Sequence, residues 1–296
     1  MNATVADPAP AAPKVLIGLI GAGIQKSLSP AMHEEEARHH GLRLHYQLMD
    51  LDTRGVGVEA LPGLLDAIRT IGFAGFNVTF PCKQAIIPLL DDLSDEARAM
   101  GAVNTVVHRD GRLVGHNTDG SGWSWGFRRA LPHADLGCVV LLGAGGAGSA
   151  IAHAVLRLGA LRLIVVDSDA ARAAALAADL NRLYGGTRVE SSADIAAALA
   201  PASGLIHATP TGMDKLPGLP LPEHLLRPAL WVSEIVYFPL ETALLKAARR
   251  AGCATVDGGN MAVGQAFGAF KLFTGIDPYA SRMDAHFRRL VAQRAG

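Results

Sequence analysis

The chain has 296 residues, half of them hydrophobic and 18% charged, which is enough apolar surface for two cores and too little charge for disorder. Lysine plus arginine equals aspartate plus glutamate at 27 each, so no charge excess invites a nucleic acid or an anionic membrane, and a small neutral or singly charged substrate is compatible. Three well-separated cysteines, Cys82, Cys138 and Cys253, match no metal or disulfide spacing; they read as reduced thiols of a cytoplasmic protein with no metal site.

MNATVADPAPAAPK has neither a basic n-region nor a long apolar run, so residues 1–13 read as a disordered leader rather than a secretory signal. Nowhere do 18 apolar residues run uninterrupted, so no membrane span is expected. KVLIGLIGAG reads as a strand ending in glycines. Its GLIGAG lacks a third glycine and continues IQKSLSP, which argues against a dinucleotide site there. SPAMHEEEARHHG is a helix, with Pro30 early and Gly41 as its stop. LHYQLMDLD is the second strand, residues 60–71 the second helix and GFNVTF the third strand. That strand ends in a proline turn presenting Lys83, with no carboxylate within six residues on either side. Either this is a solvated surface lysine, or its partner comes from elsewhere in the fold. Residues 88–100 are predicted as one acidic helix, and AVNTVVHRDGRLVGHNTDG as a hairpin turning at Asp110–Gly111. NTDG then sets Asp119 at an apparent domain joint, where a helix N-cap and a group facing a cleft are both open readings. Strands alternating with helices imply a parallel or mixed sheet covered on both faces.

From about His133 the pattern restarts. CVVLLGAGGAGSAIAHAVLRLGA is strand, glycine turn and helix; LRLIVVDSD is the next strand and residues 172–183 an alanine-rich helix. GLIHATPTGM and LWVSEIVYFP are strands running into loops, a helix ending at Gly252 leads to ATVDGG, and residues 260–274 form an apolar helix. GAGGAG fits G-x-G-x-x-G in the strand-to-helix context that the motif requires. Gly143 allows the tight turn, Gly145 lets a pyrophosphate approach the backbone, and Gly148 lets helix and strand pack closely, with Ala144, Gly146 and Ala147 completing the turn. The helix start offers N–H groups and positive dipole to the phosphates. Asp167 ends the next strand, where an acid binds the adenosine ribose hydroxyls. Its charge also repels a 2′-phosphate, which favours NAD over NADP; Arg172, five residues on, is the group that argues the other way.

SLSP (27–30), NVTFPCK (77–83), GAVNT (101–105), NTDG (117–120), GAGGAG (143–148), ATPTGM (208–213) and GGNMAVGQA (258–266) occur in this order. In that combination the chain resembles the shikimate/quinate dehydrogenase family, from about Lys14 to its end. The resemblance implies an α/β fold: a substrate domain over 14–120, a Rossmann NAD-binding domain over 121–258, and C-terminal helices over 259–296 that return to the first domain. It implies that Lys83 and Asp119 face each other across the cleft as the catalytic pair. Ser27 and Ser29, assisted by Tyr237, would hold the substrate carboxylate; Asn77, Thr79 and Asn104 would bind ring hydroxyls, and Gln265 would reach the substrate from the last helix. Thr209, Val236, Gly258 and Met261 would join the glycine turn, Asp167 and Arg172 on the cofactor. A cap role for Ser27 before Pro30 and a turn role for Asn77 are compatible with these. Two residues depart from the pattern: His207 precedes ATPTGM where the family usually has asparagine, and Asn260 in GGNM is also unexpected. His33, His45 and His116 read as structural or exposed, Cys82 as packing, and Trp123 and Trp125 as core aromatics.

The activity implied is NAD-dependent oxidation of shikimate to 3-dehydroshikimate, with quinate to 3-dehydroquinate as a second reaction, in aromatic amino acid biosynthesis. The enzyme would be a monomer or homodimer with no nucleic-acid or membrane partner. Oxidising a ring alcohol needs a hydride acceptor and a group for the hydroxyl proton. Burial and a nearby carboxylate act on a lysine in opposite directions, so Lys83 stays open as base, relay or orienter. An aminoshikimate dehydrogenase would share nearly every motif. A non-catalytic NAD sensor would share the fold, but would have no need to keep Lys83, Asp119, Ser27 and Ser29 together.

Overall fold

Twelve strands in residues 12–295, the part of the chain described by this computed structural model, sort into two six-stranded sheets. Of the expected leader, only Ala12 and Pro13 fall within the described residues, and neither is in regular structure. The first sheet holds β1 (Lys14–Gly21), β2 (Arg43–Asp50), β3 (Gly75–Val78), β4 (Asp92–Leu93), β5 (Thr105–Arg109) and β6 (Arg112–His116), in the order β2-β1-β3-β5-β6-β4. Helical crossovers make β1 parallel to β2 and β3. A two-residue turn makes β5 and β6 antiparallel, with Asp110 at φ 52° and Gly111 at φ 76° as a tight hairpin turn requires.

The second sheet holds β7 (Cys138–Leu142), β8 (Arg162–Val166), β9 (Val189–Ser192), β10 (Gly204–His207), β11 (Trp231–Glu234) and β12 (Ala254–Val256). Its order is β12-β11-β10-β7-β8-β9, and every pairing is parallel. Helices cover both faces, so the central strands carry unbroken apolar runs; CVVLL of β7 is buried throughout. The strand order reverses between β7 and β10, which opens a crevice at their carboxyl ends. This is the doubly wound dinucleotide-binding arrangement, preceded by an α/β domain with a mixed sheet.

Several elements differ from the sequence reading. Residues 88–100 are not one helix. Asp91 accepts from Leu113 N–H at 2.6 Å and from Arg69, which ties the chain to the sheet; Asp92–Leu93 then pairs with β6. Helix Asp95–Met100 starts only behind Ser94, whose hydroxyl accepts from Ala97 N–H at 3.2 Å. The strands in GFNVTF and LWVSEIVYFP end early, at Val78 and Glu234. Strand β9 and helix Ile195–Leu199 add to the predicted elements; VESS of β9 shows neither apolar run nor alternation.

Two helices join the halves. Asp119–Ala130 and Gly258–Thr274 cross with their backbones in contact. A Cβ on Gly264 would lie 2.2 Å from Gly122 O, and one on Gly122 would lie 2.6 Å from Gln265 N. The last helix, Ala280–Ala295, then packs on Ser29–His39: Met283, Phe287 and Val291 meet Leu28 and Met32, and Arg282 reaches the buried Glu36 at 2.5 Å. The C-terminal helices thus return to the first domain.

Candidate active site

The proline turn after β3 leads into a short helix, Cys82–Ala85. Cys82 is fully buried, which pushes its thiol up and leaves it as packing. Lys83 Nζ donates to Asp119 Oδ2 at 2.6 Å, so the missing partner of this lysine comes from the N-terminus of the joining helix. Asp119 is buried, and its other oxygen accepts from Asn104 Nδ2 at 2.8 Å and Gln265 Nε2 at 2.5 Å. These bonds run to side chains rather than to the N–H groups of its own helix, whose N-cap position is Thr118. The positive end of that helix still favours a carboxylate there.

Gln265 arrives through the glycine crossing. Gly264→Ala is expected to destabilise the protein by about 1–3 kcal/mol through overpacking and to loosen the Gln265–Asp119 contact. Urea denaturation checks the first; an unchanged midpoint would show that the helices separate at no cost.

The polar residues around this pair differ in how free they are. Asn104 gives its amide hydrogens to Thr118 Oγ1 at 3.0 Å and to Asp119, and its oxygen accepts from Thr118 N–H at 2.8 Å. It is committed to orienting Asp119. Asn77 donates to Asn104 O at 3.2 Å and Thr105 Oγ1 at 3.0 Å and accepts from Tyr46 Oη at 2.7 Å, leaving one oxygen lone pair for an outside hydroxyl. From the sequence, Tyr46 at its inward place on β2 reads as ordinary core; burial pushes its phenol well above the usual range. The Thr79 methyl occupies the space that a Cβ on Gly21 would need. Ser27 Oγ accepts from Ser29 N–H at 3.2 Å, a local bond at the start of helix Ser29–His39. Tyr237 is 45% exposed, and its ring leans on Phe287.

The three histidines stand apart from the pair. His33 is buried behind Ser29 and is pushed down to about 4 by burial, against the opposing bond to Ser29 O. His45 is exposed on β2 beside Glu34, and burial lowers His116. Trp123 is buried and donates to Ser233 Oγ at 3.0 Å; Trp125 stacks on Phe267.

Across the crevice, Gly143 adopts φ 109°, and a Cβ there would strike Ala208 O at 2.6 Å. A Cβ on Gly148 would lie 2.0 Å from Gly143 O, so helix and turn pack as tightly as a glycine permits. Gly145 and Gly146, by contrast, face open space, and no side chain caps helix Gly146–Arg157. Uncapped N–H groups of Gly146, Ala147 and Gly148 beneath an open shelf fit a pyrophosphate. Asp167, just past β8, accepts from Ala144 N–H at 2.7 Å and Asp169 N–H at 2.9 Å. Burial raises its carboxyl, but these bonds outweigh it and hold the group below its ordinary range. Oδ1 also accepts from the Ser168 hydroxyl at 3.4 Å, so Oδ2 is the oxygen that keeps a lone pair for a ribose hydroxyl. Arg172 is exposed, 3.1 Å from Asp169 and 3.9 Å from Asp167.

Thr209 and Val236 follow β10 and β11 at the same end of the sheet. Gly258 abuts Val236 O, where a Cβ would lie at 2.4 Å, and Met261 is buried below. His207 faces Glu234, a partner absent from the sequence reading. Asn260 donates to Asp257 Oδ1 at 3.2 Å and packs on Gly126. Among the described residues no group of three His, Cys, Asp or Glu could hold a metal ion, and no helix is long and apolar enough to cross a membrane.

Residues 19–106 match the family profile described as "Shikimate dehydrogenase substrate binding domain". The chain is 56% identical over 282 residues to a shikimate dehydrogenase (NADP(+)) of Streptomyces avermitilis, covering 95% of this chain and 97% of that protein. It is 46% identical to a quinate/shikimate dehydrogenase (NAD(+)) of Corynebacterium efficiens, covering 93% and 98%. Among solved structures it is similar to quinate dehydrogenase from Corynebacterium glutamicum in complex with NAD, with a TM-score of 0.89, 44% identity, and coverage of 93% of this chain and 99% of that one.

Proposed function

The chain belongs to the shikimate/quinate dehydrogenase family of NAD(P)-dependent oxidoreductases, and from that premise we propose that it reversibly oxidises shikimate to 3-dehydroshikimate and quinate to 3-dehydroquinate with NAD. The observation that carries this reading is the Lys83–Asp119 contact at 2.6 Å, braced by Asn104 and Gln265 and set between the two sheets. Residues 14–120 form the substrate domain, 121–258 the cofactor domain, and 259–296 the helices that deliver Gln265.

The dinucleotide supplies the hydride acceptor when bound. The chain's own residues bind the ring, aim one hydroxyl and take its proton. Ser27 and Ser29 offer hydroxyl donors to the substrate carboxylate, with Tyr237 at the rim. Asn77, through its remaining lone pair, and Thr79 meet ring hydroxyls. Lys83 contacts the reacting hydroxyl, and Asp119 holds the ammonium in place and carries the compensating charge. Asn104 acts one step back, by fixing Asp119. Quinate brings an extra hydroxyl at the carboxylate end, and serine rather than threonine at position 29 leaves room for it. A matrix of shikimate and quinate against NAD and NADP, followed by absorbance of the reduced cofactor, tests the proposal. No turnover in any combination would overturn it.

The choice of NAD rests on Asp167: a carboxylate that binds the adenosine ribose hydroxyls would repel a 2′-phosphate. Two like charges about 4 Å apart near a protein surface repel by on the order of 4 kcal/mol, of which solvent and Arg172 screen part. NADP is therefore expected to give a kcat/KM at least ~100-fold below that of NAD. Asp167→Ala should narrow that gap. Equal use of both cofactors by the unsubstituted protein would show that Arg172 or another group neutralises the aspartate.

A further inference from the structure

His207 and Glu234 are both fully buried in the second sheet, away from Lys83 and Asp119. They end β10 and β11 and are partners in the parallel register. His207 Nδ1 lies 2.8 Å from Glu234 Oε1. The same oxygen accepts from Ile235 N–H at 2.9 Å and Val236 N–H at 3.0 Å, and Oε2 accepts from the Thr242 hydroxyl at 3.0 Å. A carboxylate with this set of donors is acceptor-only, which assigns the Nδ1 proton to His207. His207 Nε2 meets Thr209 Oγ1 at 2.5 Å, and Thr209 Oγ1 also accepts from Thr211 N–H at 3.3 Å. Every polar atom of the two buried side chains is thereby engaged.

Stability is a poor account of such a pair, since a well-packed apolar replacement is often neutral or stabilising. Its position is more informative. Were the pyrophosphate bound at the glycine turn and the adenosine ribose at Asp167 beyond β8, the other nucleotide would extend to the opposite side of β7, toward the ends of β10 and β11. The loops leaving those two strands are the ones that the pair ties together. A Cβ on Gly143 would lie 3.0 Å from Thr209 Cγ2, so the Thr209 methyl faces the turn while its hydroxyl is held on His207. On the other loop, Glu234 fixes the Val236 N–H, and the Val236 carbonyl abuts Gly258. Ser233, next to Glu234, also holds Trp123 of the helix that begins with Asp119.

We propose that His207 and Glu234 are a positioning pair for the nicotinamide half of the dinucleotide, joining the 208–213 and 235–242 loops into one wall whose spacing the cofactor reads. This rests on the dinucleotide reading above. His207→Asn keeps an amide nitrogen near the place of Nδ1 and loses the reach to Thr209; Thr209→Val keeps the shape and loses only the hydroxyl. Fluorescence titration should show NADH binding weakened about 10-fold in each, with the KM for shikimate at saturating NAD within about twofold of the parent. NADH affinity within twofold of the parent in both variants, with only a lower thermal midpoint, overturns the proposal and leaves the pair as structural filling. If His207→Asn fails to fold, NADH affinity within twofold of the parent in Thr209→Val overturns the proposal by itself. A parent that binds NADH but turns over neither acid sinks the substrate reading alone, and one that binds neither NADH nor NADPH sinks both.

Discussion

Lys83→Ala is expected to lower kcat at least ~100-fold, the low end for a positioned acid–base group, while NADH still binds. The reason lies in how the side chain is held. Lys83 comes from the first domain, and its one charged partner comes from the helix that joins the domains. Removing it leaves Asp119 with two amide donors and no cation, and removes the amine that, once its ammonium has passed a proton to solvent, would accept the one from the substrate hydroxyl. The cofactor shelf, built from Gly143 to Gly148 and Asp167, does not touch the lysine. Binding and turnover should therefore separate: NADH fluorescence unchanged, kcat lost at saturating substrate. Near-normal turnover would remove Lys83 from the chemistry, whatever the hydrogen bond suggests.

What the sequence made legible follows from range. GAGGAG, Asp167 and the Asp110–Gly111 hairpin are local signals, because a turn that demands positive φ or a close backbone approach selects glycine at that residue and nowhere else. The helix start at Asp95 was also local: Ser94 followed by Asp95 and Glu96 is a start signal that the longer acidic run obscured. The candidate site is different. Nothing in the spacing of Lys83 and Asp119 says that they meet; only the resemblance joined them. Tyr46 reads as core until Asn77 is found across from it on β3. Asn104 reads as a free amide until Thr118 and Asp119 are seen to use both of its hydrogens. Gly122 and Gly264 read as ordinary helix glycines, although they bring two backbones together and so deliver Gln265. His207 was visible as a departure from the pattern. Its compensation at Glu234 was not, because register between parallel strands is set by the whole sheet and not by either strand.

The second large effect concerns Asp119, and it tests whether the pair is one device. Asp119→Asn keeps the volume and one oxygen but removes the charge that holds Lys83. It is expected to lower kcat by ~100-fold or more. If the two residues serve one proton transfer, the double variant Lys83→Ala with Asp119→Asn should be little worse than the worse single, because groups that act as a unit are strongly non-additive. Independent roles would instead multiply the two losses. A helix-end role for Asp119 would appear differently again, as a stability loss of about 0.5–2 kcal/mol with kcat intact in the folded fraction. The carboxylate's bonds to Lys83, Asn104 and Gln265, none of them to its helix, argue for the first outcome. Measuring kcat and thermal midpoints for both singles and the double distinguishes all three. Multiplicative losses would mean that Lys83 works without its partner, and that Asp119 serves the reaction by a separate route.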